Sequence, residues 1–166
     1  MKYKISLVLM ASTLAATGSM AADYLTSQRD MRTSTAEVIA RAALAECQKK
    51  GYTVAVAVTD RSGTPLAILR DDMAGAHTPS IAIGKAWTAA NFRMSTTEVV
   101  AVSEPGQPAA AIRNLPNVVA LGGGLPIQTK GTTIGAIGVS GAPGGHLDEA
   151  CAQTAVKSIQ SALDLP

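Results

Sequence analysis

Aromatic residues are scarce in this sequence. Its 166 residues include one Trp, one Phe and three Tyr, together 3% of the chain. Proteins that bind single-stranded nucleic acid stack bases on aromatic side chains and follow the phosphates with a cationic groove. Lys and Arg number 14 against 12 Asp and Glu, so the excess of positive charge is small. We therefore expect no nucleic-acid partner.

Apolar runs long enough to span a bilayer are also missing. The run that begins at Ile5 ends at Ala11, well short of the roughly 20 residues that cross a membrane. Lys2 and Lys4 precede it, and small residues that end at Ala21 follow it, which is the order typical of a secretory signal. We expect residues 1–22 to be a cleaved signal peptide and the protein to be periplasmic or secreted, with no membrane span after cleavage. Without the two lysines, 12 basic residues face 12 acidic ones, and the mature chain is formally neutral.

Cysteine and histidine number only two each. So few metal-binding side chains give no reason to expect a dedicated zinc site. In an oxidising compartment Cys47 and Cys151 can form a disulfide, but each also lies among apolar residues at helical spacing, as buried thiols do. Both alternatives stay open, because the Cα separation that a disulfide requires cannot be read from sequence.

The remaining patterns predict an α+β domain. Strands joined by tight hairpins favour an antiparallel sheet of about five strands flanked by helices. Residues 23–33 are expected to be a flexible lead-in and residues 34–166 a single domain. The predicted helices cover residues 34–50, 79–92, 95–102, 109–113 and a final stretch from 147, and the predicted strands cover residues 52–59, 65–69, 118–121, 125–128 and 133–141.

The first predicted strand has two different faces. Val54, Val56 and Val58 alternate with Ala55 and Ala57, so one face is β-branched and the other is small and apolar. We expect both faces of this strand to be covered.

Each histidine precedes or begins a predicted helix. His77 lies on a polar loop just before Thr78-Pro79, a pair typical of helix starts. Its neutral imidazole suits an iron ligand, and the alternative is a ring that only hydrogen-bonds its own loop. His146 follows two glycines and precedes Asp148, so a carboxylate can orient its ring.

Several motifs together resemble the GlcG/HbpS family of haem-binding proteins, and they are also similar to the C-terminal domain of PduO-type corrinoid adenosyltransferases. The resemblance covers nearly all of residues 34–163. It rests on LAILRDDMAGA at 66–76, IAIGKAWTAANF at 81–92, GGLP at 123–126, IGAIGVSGA at 134–142, and Asp148. It implies a five-stranded antiparallel sheet flanked by helices, close to the profilin-like arrangement, and assembly into a homo-oligomer.

The resemblance also implies a planar cofactor, haem, and a haem-binding, haem-sensing or haem-degrading role. Haem-binding relatives have a ligand near the stretch that matches residues 75–80, which here contains His77. His77 is accordingly the expected axial ligand of the haem iron. Lys85 is expected to pair with a haem propionate or a substrate carboxylate, unless it is an ordinary solvent-facing cation. His146 is the third expected cofactor-binding residue.

Two other functions fit the same residues. One is an enzyme that acts on a small organic acid or carbonyl compound in a cleft between subunits. There His77 or His146 would serve as acid or base and Lys85 would hold the carboxylate. The other is an oligomeric module that regulates a partner without catalysis.

Overall fold

The computed structural model describes residues 26–165. The predicted signal peptide, residues 1–22, lies outside the described residues. Within the described range no helix combines the length and apolar character that a membrane crossing requires. In chain order the elements are α1 (Thr33–Lys49), β1 (Ala55–Asp60), β2 (Pro65–Arg70), α2 (Thr78–Phe92), α3 (Thr96–Val102), a 3₁₀ helix (Ala110–Asn114), β3 (Gly124–Thr129), β4 (Thr132–Ser140) and α4 (Gly145–Leu163).

The described strands form one sheet in the order β2-β1-β4-β3, and every neighbouring pair is antiparallel. The predicted α+β class and the two hairpins are confirmed. The sheet has four strands where about five were expected, because residues 118–121 do not form a strand. The backbone N–H of Val119 donates instead to Oγ1 of Thr88 on α2, at 2.9 Å. The Val119 side chain fills the space beside Gly84, so this apolar segment packs along α2 and not within the sheet.

Helices cover both faces of the sheet, as the alternation in β1 predicted. Val54, Val56 and Val58 belong to the main core, which lies between the sheet and the helices α1 and α4. On the opposite face Ala55 and Ala57 pack against small residues of α2. The two layers therefore differ in thickness, with the thinner one beneath α2.

Gly138 of β4 makes this thin layer possible. A Cβ at that position would overlap the carbonyl oxygen of Ala82 and would lie 2.7 Å from the nitrogen of Ala86, both on α2. Real Cβ atoms essentially never approach other heavy atoms that closely, so any side chain here would push α2 away from the sheet. A glycine within this strand is thus explained by the close approach of a helix.

A disulfide between Cys47 and Cys151 joins α1 to α4, with a Cα–Cα distance of 5.5 Å. Both residues are fully buried in the main core. The structure decides between the two alternatives that the sequence left open, in favour of the disulfide.

Candidate functional site

A tight turn places His77 at the start of α2. The backbone N–H and the side-chain hydroxyl of Thr78 both donate to the carbonyl of Gly75, at 3.0 and 2.8 Å. His77 is the N-cap residue, but its side chain makes no capping hydrogen bond. The predicted position at a helix entrance is confirmed, and the helix starts one residue earlier than the sequence indicated.

The imidazole of His77 is exposed and lies over Gly75. A Cβ on Gly75 would lie 2.7 Å from Cε1 and 3.0 Å from Nδ1 of the ring, but 3.8 Å from Nε2. In the described part of the chain neither ring nitrogen hydrogen-bonds to another residue. The exposed ring can therefore offer a nitrogen to a ligand or a metal.

His77 lines a small cavity of about 340 Å³, which we call the His77 pocket. Most of its wall is backbone and small side chains, so a flat group can come close to the main chain. The other lining residues are Lys85, Ser140, Asp148, the pair 121–122 and the loop 141–145.

A buried ion pair, Lys85–Asp148, also lines this pocket. Lys85 Nζ lies 2.8 Å from Oδ2 of Asp148, and the side chains are 3% and 4% exposed. The ammonium also donates to the carbonyl of Val139 at 2.8 Å, and Oδ1 of Asp148 accepts from the N–H of Ala142 at 3.0 Å. Among the described residues Lys85 thus has acceptors for two of its three N–H donors.

Burial raises the pKa of Asp148 above its ordinary value, and the hydrogen bond and positive charge of Lys85 oppose that shift. The N–H of Ala142 opposes it further. Carboxylates with such perturbed pKa values, in a cavity beside a cation, are candidates for proton transfer.

His146 is the second residue of α4 and is exposed. Its ring lies over Gly144 just as that of His77 lies over Gly75, with Cε1 and Nδ1 at 2.8 and 3.0 Å from a Cβ there. Gly144 and Gly145 line the His77 pocket, whereas His146 is not among its lining residues. The structure thus brings His77 and Lys85 to one cavity and leaves His146 beside it.

Iron at this site would depend on histidine alone. In residues 26–165 no group of three or more His, Cys, Asp or Glu side chains is arranged to hold a metal ion. A haem supplies four nitrogen ligands of its own and needs only an axial ligand from the protein, which an accessible imidazole provides. The donors present at the His77 pocket therefore fit haem iron better than a bare metal ion.

Sequence reasoning did not assign Asp148 its role as the counter-ion of Lys85. It expected the carboxylate to orient the ring of His146, whereas Asp148 binds Lys85, 63 positions away, and the N–H of Ala142. One signal was present, because a lysine in the middle of an apolar helix is buried only with a partner. The sequence did not say which acid that partner was.

Comparison with known proteins gives a consistent result. The profile of the haem-degrading HbpS-like protein family matches residues 31–157. GlcG of Escherichia coli is 36% identical over 105 residues, which cover 63% of this chain and 77% of GlcG. The corrinoid adenosyltransferase PduO of Salmonella typhimurium is 33% identical over 126 residues, 73% of this chain, and the chain spans 36% of the length of PduO.

Solved structures agree with the sequence relatives. A double mutant of Streptomyces reticuli HbpS superposes with a TM-score of 0.78 at 34% identity, covering 91% of this chain and 99% of that one. The complex of PduOC with haem superposes with a TM-score of 0.73 at 30% identity, covering 78% of this chain and 95% of that one.

Proposed function

The chain belongs to the family of haem-degrading HbpS-like proteins, and from that premise we propose that it binds haem in the His77 pocket, with His77 as the axial ligand of the iron. A relative of the same fold was solved as a complex with haem. The observation that carries the proposal is the imidazole of His77, exposed at the cavity and without a hydrogen bond to other described residues. Bound haem supplies redox-active iron, and this chain supplies the axial nitrogen and the surrounding surface.

The size of the pocket indicates how much of the cofactor one chain covers. About 340 Å³ is at the lower end of the range for ligand sites. One chain therefore encloses only part of a porphyrin, and we propose that a second copy completes the site in a homo-oligomer. Two exposed apolar residues support assembly: Ile68, on the edge strand β2, is 45% exposed, and Met73 is 80% exposed.

Two further residues belong to the proposed site. Lys85 contributes its remaining N–H donor to a carboxylate of the ligand, such as a haem propionate. His146 directly follows the lining residue Gly145 and is proposed as the second cofactor-binding histidine.

We also propose that the protein works outside the cytoplasm, in the periplasm or after secretion. The signal-like order of residues 1–22 supports export. The Cys47–Cys151 disulfide supports an oxidising compartment, where such bonds persist.

Titration of the mature protein with hemin tests the proposal. The wild type should give a Soret band typical of imidazole-ligated haem with a saturable stoichiometry, since an iron–nitrogen bond changes the haem spectrum. His77→Ala should abolish that ligation, and added free imidazole should restore part of it. His146→Ala is the matched comparison, because this exposed ring also lies over a glycine but does not line the pocket.

The results separate the two histidines. A Soret shift that survives in His77→Ala and vanishes in His146→Ala would move the axial ligand to His146. An unchanged hemin spectrum in the wild type would refute haem ligation altogether.

The Lys85–Asp148 pair favours a second candidate, an enzyme acting on a small organic acid or carbonyl compound. The remaining N–H of Lys85 can hold a carboxylate, and His77 at the same cavity can act as acid or base. A screen of hydroxy acids, oxo acids and aldehydes tests this function. Turnover by the haem-free wild type that His77→Gln removes would support it, and no turnover of any compound would refute it for that panel.

A further inference from the structure

A second and larger cavity lies at the other end of α2. It measures about 630 Å³, and we call it the arginine pocket because Arg29, Arg61 and Arg93 line it. His77 lies at the N-terminal end of α2, and Arg93 directly follows its C-terminal end. The two cavities are therefore at opposite ends of the helix, and the arginine pocket includes none of the residues of the proposed haem site.

The β1–β2 turn holds Arg61 against the last turns of α2. The amide of Asn91 donates to the carbonyl of Ser62 at 3.2 Å. Gly63 lies directly on Trp87, since a Cβ at Gly63 would be 2.7 Å from Cδ1 of the indole. The turn is thus packed against α2, and Arg61 is kept close to the end of that helix.

Arg93 ends α2 in an unusual conformation. Its φ is 57°, the left-handed region that glycine normally takes at this position, and its N–H donates to the carbonyl of Ala89 at 2.9 Å. A residue with a Cβ is disfavoured there. The chain nevertheless has an arginine at this C-cap position, where it lines the arginine pocket.

Arg29 is positioned by its neighbours. Met31 is 7% exposed, and its Cε would be 2.8 Å from a Cβ on Gly135. The carboxylate of Asp30 accepts from the backbone N–H of Arg61 at 3.4 Å and from that of Met31 at 2.9 Å. The segment before α1 is therefore attached to the β1–β2 turn. Asp60 belongs to the same turn, where its carboxylate accepts from the N–H groups of Ser62 and Thr64, both at 2.8 Å.

In the described part of the chain no acidic side chain pairs with the three guanidinium groups. Within residues 26–165 none of them takes part in an ion pair or donates a hydrogen bond to another residue. Among residues 26–165 no Asp or Glu lines the cavity, so its lining carries three positive charges. Asp30 and Asp60 are each the chain neighbour of a lining arginine. The hydroxyl groups of Thr132 and Thr133 add neutral donors.

We propose that the arginine pocket binds a small oxyanion with at least two negative charges, of the phosphate or the carboxylate type. Guanidinium groups form paired, charge-assisted hydrogen bonds with both kinds of group. The volume suits a ligand larger than a single inorganic anion. Binding here does not depend on haem, because no residue of the His77 pocket takes part.

Isothermal titration calorimetry of the mature full chain with pyrophosphate and with citrate, at low ionic strength, tests the proposal. At least one of the two should bind with a stoichiometry of one per chain and weaken as salt is added. Arg61→Gln and Arg93→Gln should each weaken that binding about ten- to hundredfold, since hydrogen bonds to charged groups contribute that much. Stronger binding of pyrophosphate would assign a phosphate-type ligand, and stronger binding of citrate a carboxylate-type ligand.

Arg41→Gln is the matched control, because Arg41 is an exposed arginine on α1 that does not line the cavity. It should leave the affinity within about twofold of the wild type. Equal losses in Arg41→Gln and Arg61→Gln would show general charge attraction and overturn the proposal. So would the absence of binding by both probes at millimolar concentration. Unchanged urea midpoints in the Gln variants would confirm that the losses are not due to unfolding.

Discussion

Breaking the Cys47–Cys151 disulfide should lower the free energy of unfolding by about 3–5 kcal/mol. The bond closes a loop between positions separated by 104 residues, from α1 near one end of the domain to α4 near the other. For a loop of that size the chain-entropy relation gives about 4.7 kcal/mol, because the open unfolded chain gains that much more freedom. Residual structure in the unfolded state reduces the value, which is why the lower figure is included.

The expected loss of about 3–5 kcal/mol is large relative to the total free energy of unfolding. Domains of this size are stable by roughly 5–15 kcal/mol, so the reduced protein keeps only a part of its stability. With a urea m-value of about 2 kcal/mol per molar, the unfolding midpoint should fall by about 2 M. Urea titration followed by far-ultraviolet circular dichroism, with and without a phosphine reductant, measures this shift on an unchanged sequence.

Cysteine variants provide the control. Cys47→Ala, Cys151→Ala and the double variant should lose nearly the same stability, because either change removes the whole bond. None of the three should respond to the reductant. Equal midpoints for the oxidised and reduced wild type, or single losses that add up in the double variant, would refute the reasoning.

Three further predictions concern Lys85, the titration of Asp148 and Asp71, and Gly75. Lys85→Met should lower the free energy of unfolding by about 3–5 kcal/mol, because it leaves the carboxylate of Asp148 buried without its cation. A second change, Asp148→Asn, should recover much of that loss. Equal urea midpoints for the single and double variants would contradict this prediction. In a carbon-13 titration Asp148 should have a pKa above its ordinary 3.8 because of burial, and Asp71 a pKa below 3.8 because of the hydrogen bond from Gln48. By linkage, the stability that Asp148 contributes should rise as pH falls from its folded-state pKa towards 3.8. The stability that Asp71 contributes should be complete above pH 3.8 and should be lost as pH falls through its lower folded-state pKa. Shifts in the reverse directions would refute both predictions. Gly75→Ala should weaken hemin binding several-fold with a urea midpoint close to wild type, because the new Cβ would lie 2.7 Å from the neighbouring imidazole, and unchanged affinity would argue against that ring as the ligand.

Local patterns were sufficient to predict most of the fold. The Val and Ala alternation in β1 predicted two covered faces, and the structure assigns the Val face to α1 and α4 and the Ala face to α2. The hairpin turns and the entrance of α2 followed from turn residues and from Thr78-Pro79. These features are readable because the interactions that produce them lie within a few residues of each other.

The predicted strand at residues 118–121 was wrong for a physical reason. A short apolar run is equally compatible with a buried strand and with a segment that packs on a helix. Here Gly84 leaves a gap on α2 that Val119 fills, and Thr88 accepts its backbone N–H. Whether the run forms a strand or packs on a helix depends on how α2 lies on the sheet. Nothing within residues 118–121 indicates that packing.

The candidate site was only partly predictable for the same reason. His77 was identified from its own loop and from the family resemblance. The partner of Lys85, by contrast, lies on another helix, and the walls of the pocket come from segments far apart in the chain. The disulfide also required the packing of α1 against α4, which two cysteines in a sequence do not specify.

Lys85 and His77, which both line the His77 pocket, will respond differently to mutation, and this difference decides which of them can test function. Lys85 links α2 to α4 through Asp148 and to β4 through the Val139 carbonyl, so its loss disturbs the position of three elements at once. A Lys85 variant that fails to bind hemin has therefore lost either a ligand contact or the pocket itself. His77 is exposed, and within the described chain its ring donates and accepts no hydrogen bond, so we expect its replacement to leave the fold unchanged. A loss of hemin binding in His77→Ala at an unchanged urea midpoint can then only be a loss at the site.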